Sequence, residues 1–404
     1  MGGVGVNGGC MPLKAADRMA DLFASGLVDD FDWLALLLQL KLDHLPMPGA
    51  GSTLERWRAL ATVGQFDLSL AKLYEGHTDA LAILDELGEL GELDELDELG
   101  ELGELGNLVK ADSIDGLNKP DTSGQHTADA AFAGRSGAWC VWAAEAPGGR
   151  TLIQPVHPDD ASRVLLSGSK HWCSGATTAG HALLTTWGVD GSGPHLVAVE
   201  LKQPGISIDT SRWKAVGMAG SMSVNVTFDG AHGRRVGQCG QYLSRAGFWQ
   251  GGAGLAACWY GGAVGIACTL RASLADRSRD SASTGASAGA DASSGYKLAA
   301  LGQMELALME TAATLRQAAA WIDAYPELDA SRVAITARLS AEKCARRVIE
   351  QAGKAMGATP FCLNEKFARA VADLPVFIRQ THADKDFAAL GERCLGRSAS
   401  TWLL

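Results

Sequence analysis

Apolar residues recur at helical spacing along the first fifth of the chain, and residues from about 15 to 83 read as helices. In GSTLERWRALATVGQFDLSLAKLYEG (51–76), Leu54, Trp57, Ala61, Leu68 and Ala71 fall on one stripe, and Ser52 and Glu55 stand at capping-box spacing. From about 131 to 236 the texture changes to short alternating runs, TLIQP, SRVLLSG, HALLTTWGV, HLVAVELK, ISIDTS and SVNVTFDG, divided by Gly, Pro, Asp and Ser turns. Strands at that spacing predict a small barrel or sandwich. Helical patterning returns from about 241. In 329–353, Ala334, Ala337, Ala341, Cys344 and Val348 share one face with arginines opposite, and small residues there allow close helix–helix approach. Pro375 is expected to end or kink the last segment.

Two segments break this order. Leucine falls at every third residue from Leu84 to Leu108. Three residues advance an α-helix by about 300°, so these leucines circle the axis and no face stays apolar. That tract (84–108) is expected to be an exposed acidic insertion. SASTGASAGADASSG (281–295) has the composition of a flexible linker. A third stretch, 248–270, runs 23 residues without a charge between Arg245 and Arg271. Its length would span a bilayer, but a buried bundle helix reads the same way.

Charge changes the picture only locally. The net charge is -11, from 35 basic and 46 acidic residues, and ten of the acidic ones lie between Leu84 and Leu108. The remaining 36 nearly balance the 35, which argues against nucleic-acid binding. Nine cysteines without a Cys-x-x-Cys pair suit reduced thiols in the cytoplasm and give no metal motif. The Gly-rich start has no basic region followed by an apolar run, so no secretory leader is expected, and Val6 stands where a myristoylation signal carries Ser or Thr.

The most unusual chemistry lies in SGSKHWCSGA (167–176), where an indole, a thiol and a hydroxyl are flanked by small residues. On its residues alone, this stretch is either a core tryptophan with a turn hydroxyl or a surface for a flat ligand. Its Lys170, Trp172, Cys173, Ser174 and Gly175 are similar to the Lys, Trp-Ile-Thr and small-residue turn of the acyl-CoA dehydrogenase family. Downstream, 204–230 resembles that family's Gly-Ile segment, Gly-Met-x-Gly-Ser turn and closing Phe-Asp strand, 260–279 its first bundle helix, and 45–77 its N-terminal helical domain. The resemblance spans nearly the whole chain apart from the two insertions and the extreme ends.

It implies an α+β fold: an N-terminal α-helical domain (1–130), a central β-barrel-like domain (131–240) and a C-terminal four-helix bundle (241–404). It also implies FAD, with Trp172 against the flavin ring, Ser174 hydrogen-bonded near its reactive nitrogen and Cys173 beside them. An aromatic wall and a nearby donor suit a flat redox ring. The resemblance further implies an acyl-CoA substrate oxidised at a CH–CH bond and assembly as a homodimer or homotetramer. The charge-free stretch then becomes a buried bundle helix, with no membrane partner expected.

Departures from the family pattern are as informative. Its catalytic glutamate aligns with Thr381, and the alternative glutamate position, at the start of the first bundle helix, aligns with Leu255. The Thr-Glu-Pro motif keeps only Glu145, the Arg-x-x-Phe-Gly motif is missing, and the Gln-x-x-Gly-Gly-x-Gly motif keeps Gln351 and Gly357 but has Lys354 and Ala355 for its glycine pair. His382 is a catalytic candidate on a second reading, because flavin monooxygenases of the same fold often carry a histidine in this segment. Among THADKD it can equally be a solvent-facing side chain. A third reading is a non-catalytic relative that keeps the fold as a scaffold.

Overall fold

The computed structural model describes residues 14–25, 32–88, 137–157, 159–284, 292–398 and 402, with side chains omitted for 277–294. The first helices are α1 (Ala15–Ala24), α2 (Trp33–Gln39), α3 (Thr53–Phe66) and α4 (Leu68–Glu86). Phe23 stacks on Phe66 at 4.1 Å, and Trp33 meets both rings edge-on. Asp67 divides α3 from α4 by accepting a hydrogen bond from the Leu70 amide at 2.7 Å.

The expected capping box does not form. The Ser52 side chain makes no capping bond, and Glu55 pairs with Lys14 and Arg58. Asp323, from a helix 270 residues away, instead accepts from the amides of Gly51 and Thr53 and from the Thr53 hydroxyl. A local motif is thus replaced by a tertiary one.

The strands are β1 (Trp139–Trp142), β2 (Thr151–His157), β3 (Asp160–Cys173), β4 (His181–Gly188), β5 (His195–Glu200), β6 (Ile206–Asp209) and β7 (Val224–Val236). Six match the alternating runs, and β1 is an addition. Pairings run from β4 through β2, β3, β7 and β5 and return to β4; β1 joins β4 and β6 joins β7. Inward residues such as Ile153, Leu166, Leu184, Val197 and Val226 are buried.

Helices follow as α5 (Gln241–Ser244), α6 (Gly247–Gly252), α7 (Leu255–Thr284), α8 (Ala292–Ala324), α9 (Ser331–Met356), α10 (Thr359–Leu363), α11 (Glu365–Phe377) and α12 (Asp384–Leu395). The charge-free run forms α6 and the first half of α7, the one described helical stretch apolar and long enough to cross a membrane; most of it is buried. Cys258, Trp259, Ala263, Ile266 and Leu270 lie in the core. Helices α3 and α7 approach closely: a Cβ at Gly64 would stand 2.4 Å from the Cys258 carbonyl, and one at Gly261 2.0 Å from that of Ala61. The small-residue face of α9 is buried as its spacing predicts. Helix α11 continues through Pro375 and ends two residues later, at Phe377. Of the acidic tract, 89–108 lies outside the described residues, as do 285–291 of the second insertion.

Candidate active site

Strand β3 carries an irregularity near its end. Between Lys170 and Cys173 it gains one residue against β7, where the facing partners are Val226 and Val224. A bulge of this kind re-aims a side chain. Trp172 has φ +62°, a conformation that costs a non-glycine residue about 1–3 kcal/mol, and its side chain stands 59% exposed. An indole thrown out of a strand into solvent forgoes the burial that large aromatics normally gain. Trp172 is therefore not a core residue.

The hydroxyl beside it belongs to a chain of serines. Ser174 Oγ lies 2.7 Å from Ser223 Oγ, which lies 3.0 Å from Ser221 Oγ, and Ser221 donates to the Met218 carbonyl at 2.8 Å. The Ser174 carbonyl accepts from Trp142 Nε1, and the Gly175 amide donates to the Ser221 carbonyl, both at 3.0 Å. Gly175 has φ +77°, and a Cβ there would lie 2.8 Å from Cys140 Sγ. Met218 and Met222, on either side of Ser221, also have positive φ, so three non-glycine residues in rare conformations converge here.

The turn at 217–223 is clamped to α11. A Cβ on Gly217 would meet the Ala372 carbonyl at 2.0 Å, and the Met218 amide donates to Asp373 Oδ1 at 2.5 Å. Burial, reinforced by the Asp67 charge, outweighs that hydrogen bond and pushes the Asp373 carboxyl up to about 6. Below the bulge, Lys170 is almost fully buried and donates to Glu145 at 2.7 Å and to the hydroxyl and carbonyl of Thr185 at 2.8 and 2.9 Å. Burial pushes the Lys170 ammonium down despite Glu145, whose own carboxyl is held below its usual range by Lys170 and Thr185 against the effect of burial. The pair anchors the strand that carries Trp172.

The other candidates are distributed more widely. Cys173 is buried, with Sγ 3.3 Å from the Lys170 carbonyl, and burial pushes its thiol well up, so its side chain is a core group. Gln351 is buried near the end of α9 and Gly357, with φ +64°, ends that helix; no described hydrogen bond joins either to the Trp172–Ser174 segment of the same chain. The His382 side chain is 72% exposed, with Nδ1 3.7 Å from Asp386. Lys354 pairs with Glu350 on the surface of α9.

Leu255 opens α7, and Thr381 follows a 3-10 turn, Ile378–Gln380. The Thr381 hydroxyl donates to Glu342 Oε2 at 2.8 Å, and Arg346 and Arg379 hold the other oxygen at 2.7 and 3.1 Å. Burial raises the Glu342 carboxyl, but Thr381 and the two arginines outweigh it and keep the group ionised. Glu342 is absent from the sequence reading, although Glu342 and Arg346 at i,i+4 were visible in it. Also missed is a charged stripe on α4: Lys72 pairs with Glu75 at 2.8 Å, and burial next to Glu75 pushes the Asp79 carboxyl up. Among the described residues no group of His, Cys, Asp and Glu could hold a metal ion.

No family model and no curated protein matches the chain. Solved structures do. KijD3 in complex with FMN and dTDP-3-amino-2,3,6-trideoxy-4-keto-3-methyl-D-glucose superposes with a TM-score of 0.68 at 18% identity, over 98% of each chain. Dibenzothiophene monooxygenase (TdsC) from Paenibacillus sp. A11-2 gives 0.66 at 17% identity, over 95% of this chain and 97% of its own. A Tcur3481-Tcur3483 steroid ACAD variant gives 0.66 at 17%, over 94% and 96%. The fold of this chain is that of the acyl-CoA dehydrogenases and of the flavin enzymes that share it.

Proposed function

We propose that this protein is a flavin-dependent oxidoreductase and that its chemistry is of the monooxygenase type. The carrying observation is the state of the two positions where a dehydrogenase keeps its base. Leu255 has no titratable group, and the Thr381 hydroxyl is committed to the ionised Glu342. Removing the proton beside a thioester carbonyl requires a positioned base. The acyl-CoA reading therefore has no base at either position, and the carboxylate beside one of them, Glu342, is held by Thr381, Arg346 and Arg379. Oxygen insertion by a reduced flavin requires no base at those positions. KijD3, bound to FMN and a dTDP-sugar, and TdsC, a dibenzothiophene monooxygenase, support the same direction.

The described residues fit a flavin at the end of β3. When bound, it would supply two-electron redox chemistry with dioxygen. Trp172 provides the stacking face, held outward by the bulge. Because Ser221 donates to the Met218 carbonyl, Ser223 donates to Ser221 and Ser174 to Ser223, which leaves Ser174 Oγ as a hydrogen-bond acceptor at the ring edge. Asp373 fixes the turn carrying Ser221 and Ser223 through the Met218 amide. In this reading FAD is the cofactor, His382, Gln351 and Gly357 remain candidates for a site completed by a second copy, and the protein works as a cytoplasmic homodimer or homotetramer. The ring of strands serves as the barrel-like central domain (131–240), with 1–130 and the bundle of 241–404 on either side.

The test has two arms. Flavin-loaded protein mixed anaerobically with acyl-CoA substrates of several chain lengths should keep its visible bands. The reduced flavoprotein should consume oxygen faster than free reduced flavin does. Bleaching by an acyl-CoA would overturn the monooxygenase assignment.

A further inference from the structure

A guanidinium joins the two segments that carry Leu255 and Thr381. Arg338, on α9, lies with its guanidinium carbon 5.7 Å from the centre of the Trp259 ring, and its Nη2 donates to the Gln380 carbonyl. Trp259 is one turn beyond Leu255 on α7, and Gln380 immediately precedes Thr381. Arg338 thus contacts a near neighbour in sequence of each of the two positions aligned with the family's base. No described carboxylate comes within ion-pair distance of it. Asp386 and Glu75 act on it only at longer range, and burial, the larger effect, pulls its pKa down.

Three polar atoms around this point are buried without a partner: Arg338 Nε, Gln380 Oε1 and Trp259 Nε1. Buried charges are otherwise paired, because removing an ion from water costs several kcal/mol. The buried carboxylate of Glu342 shows the contrast, since Arg346 and Arg379 both reach it. A single carbonyl and an indole face do not satisfy a fork of five donors.

We infer that Arg338 is the anion-recognition residue of the substrate site and receives the carboxylate of a substrate whose body is apolar or aromatic. The inference rests on the flavin-oxidoreductase reading only for calling the ligand a substrate. The planar fork of a guanidinium matches a two-oxygen carboxylate, and the enclosed Nε is a donor that no protein group takes up. Trp259 and Phe377, whose rings meet edge-to-face at 6.2 Å, supply the apolar surroundings.

Benzoate is the probe, titrated into the wild-type protein and its variants and followed by calorimetry and by tryptophan fluorescence, with no flavin required. Saturable binding is expected. It should weaken about 10- to 100-fold in Arg338→Met, the range for losing charge-assisted hydrogen bonds, and partly recover in Arg338→Lys. Arg316→Met, on the exposed side of α8, should leave it unchanged. Benzamide, isosteric but neutral, should bind wild-type protein at least about 10-fold more weakly than benzoate, a comparison that needs no variant. Equal affinity for the two, undiminished benzoate binding by Arg338→Met, or no saturable binding by the natively folded protein would each overturn the inference. Failure of wild-type protein to retain flavin would count against the proposed function alone and leave the benzoate result standing.

Discussion

The exposed indole of Trp172 depends on two small sites around it. At Gly175 the backbone is left-handed, and a methyl group would press on Cys140 Sγ. Conformational strain and overpacking add, so Gly175→Ala should cost about 2–4 kcal/mol in chemical denaturation. A loss below about 0.5 kcal/mol would mean that the turn relaxes freely. Lys170 and Glu145 are unequal partners, because Lys170 is buried and the Glu145 side chain is 42% exposed. Glu145→Ala strands an amine inside the sheet and should cost about 2–4 kcal/mol, whereas Lys170→Met leaves a carboxylate that water can reach and should cost less than half of that. Equal losses would show that the pair is not the anchor. Sequence alone pointed to Trp172 and Ser174 but not to their exposure. Spacing does not reveal a one-residue bulge, which comes from the pairing of β3 with β7, more than 50 residues on.

Elements were read well where one face decides their fate. Alternation gave six strands and the small-residue spacing of α9 gave its buried face, because burial on a single side leaves a period in the sequence. What was missed is tertiary. Ser52 and Glu55 form a capping motif on paper, yet Asp323 of α8 takes the amides at the start of α3. We expect Asp323→Ala to cost about 1–2 kcal/mol and to expose the amides of 51–53 to faster hydrogen exchange. Ser52→Ala should cost less, and the reverse order would restore the local cap. The charges of α4 escaped for a related reason: Lys72, Glu75 and Asp79 look like a solvated face until α7 is packed against it.

At the scale of the whole molecule, three regions of sequence meet near residue 373. Helix α11 holds the 217–223 turn through the carboxylate of Asp373, and that turn holds Ser174. The Asp373 carboxyl titrates near 6 in the folded protein against 3.8 for the ordinary group. The folded state thus retains a proton that the unfolded chain loses between those values, so this group's contribution is greatest at low pH and declines as pH rises from about 4 to about 6. Melting temperatures of wild type and Asp373→Asn should therefore diverge across that interval, with wild type falling relative to the variant. Parallel curves would remove Asp373 from the account.

The central claim is that the end of β3 is built to hold a flavin. Its most direct test is the visible absorption spectrum of the purified protein and of Trp172→Ala, each incubated with FAD and desalted. We expect flavin bands to remain with the wild-type protein and to be lost, or weakened at least about 10-fold in affinity, in the variant, since an aromatic stacking face is worth a kcal/mol or more. A colourless wild-type protein would contradict the account, as would a Trp172→Ala variant that keeps its flavin undiminished.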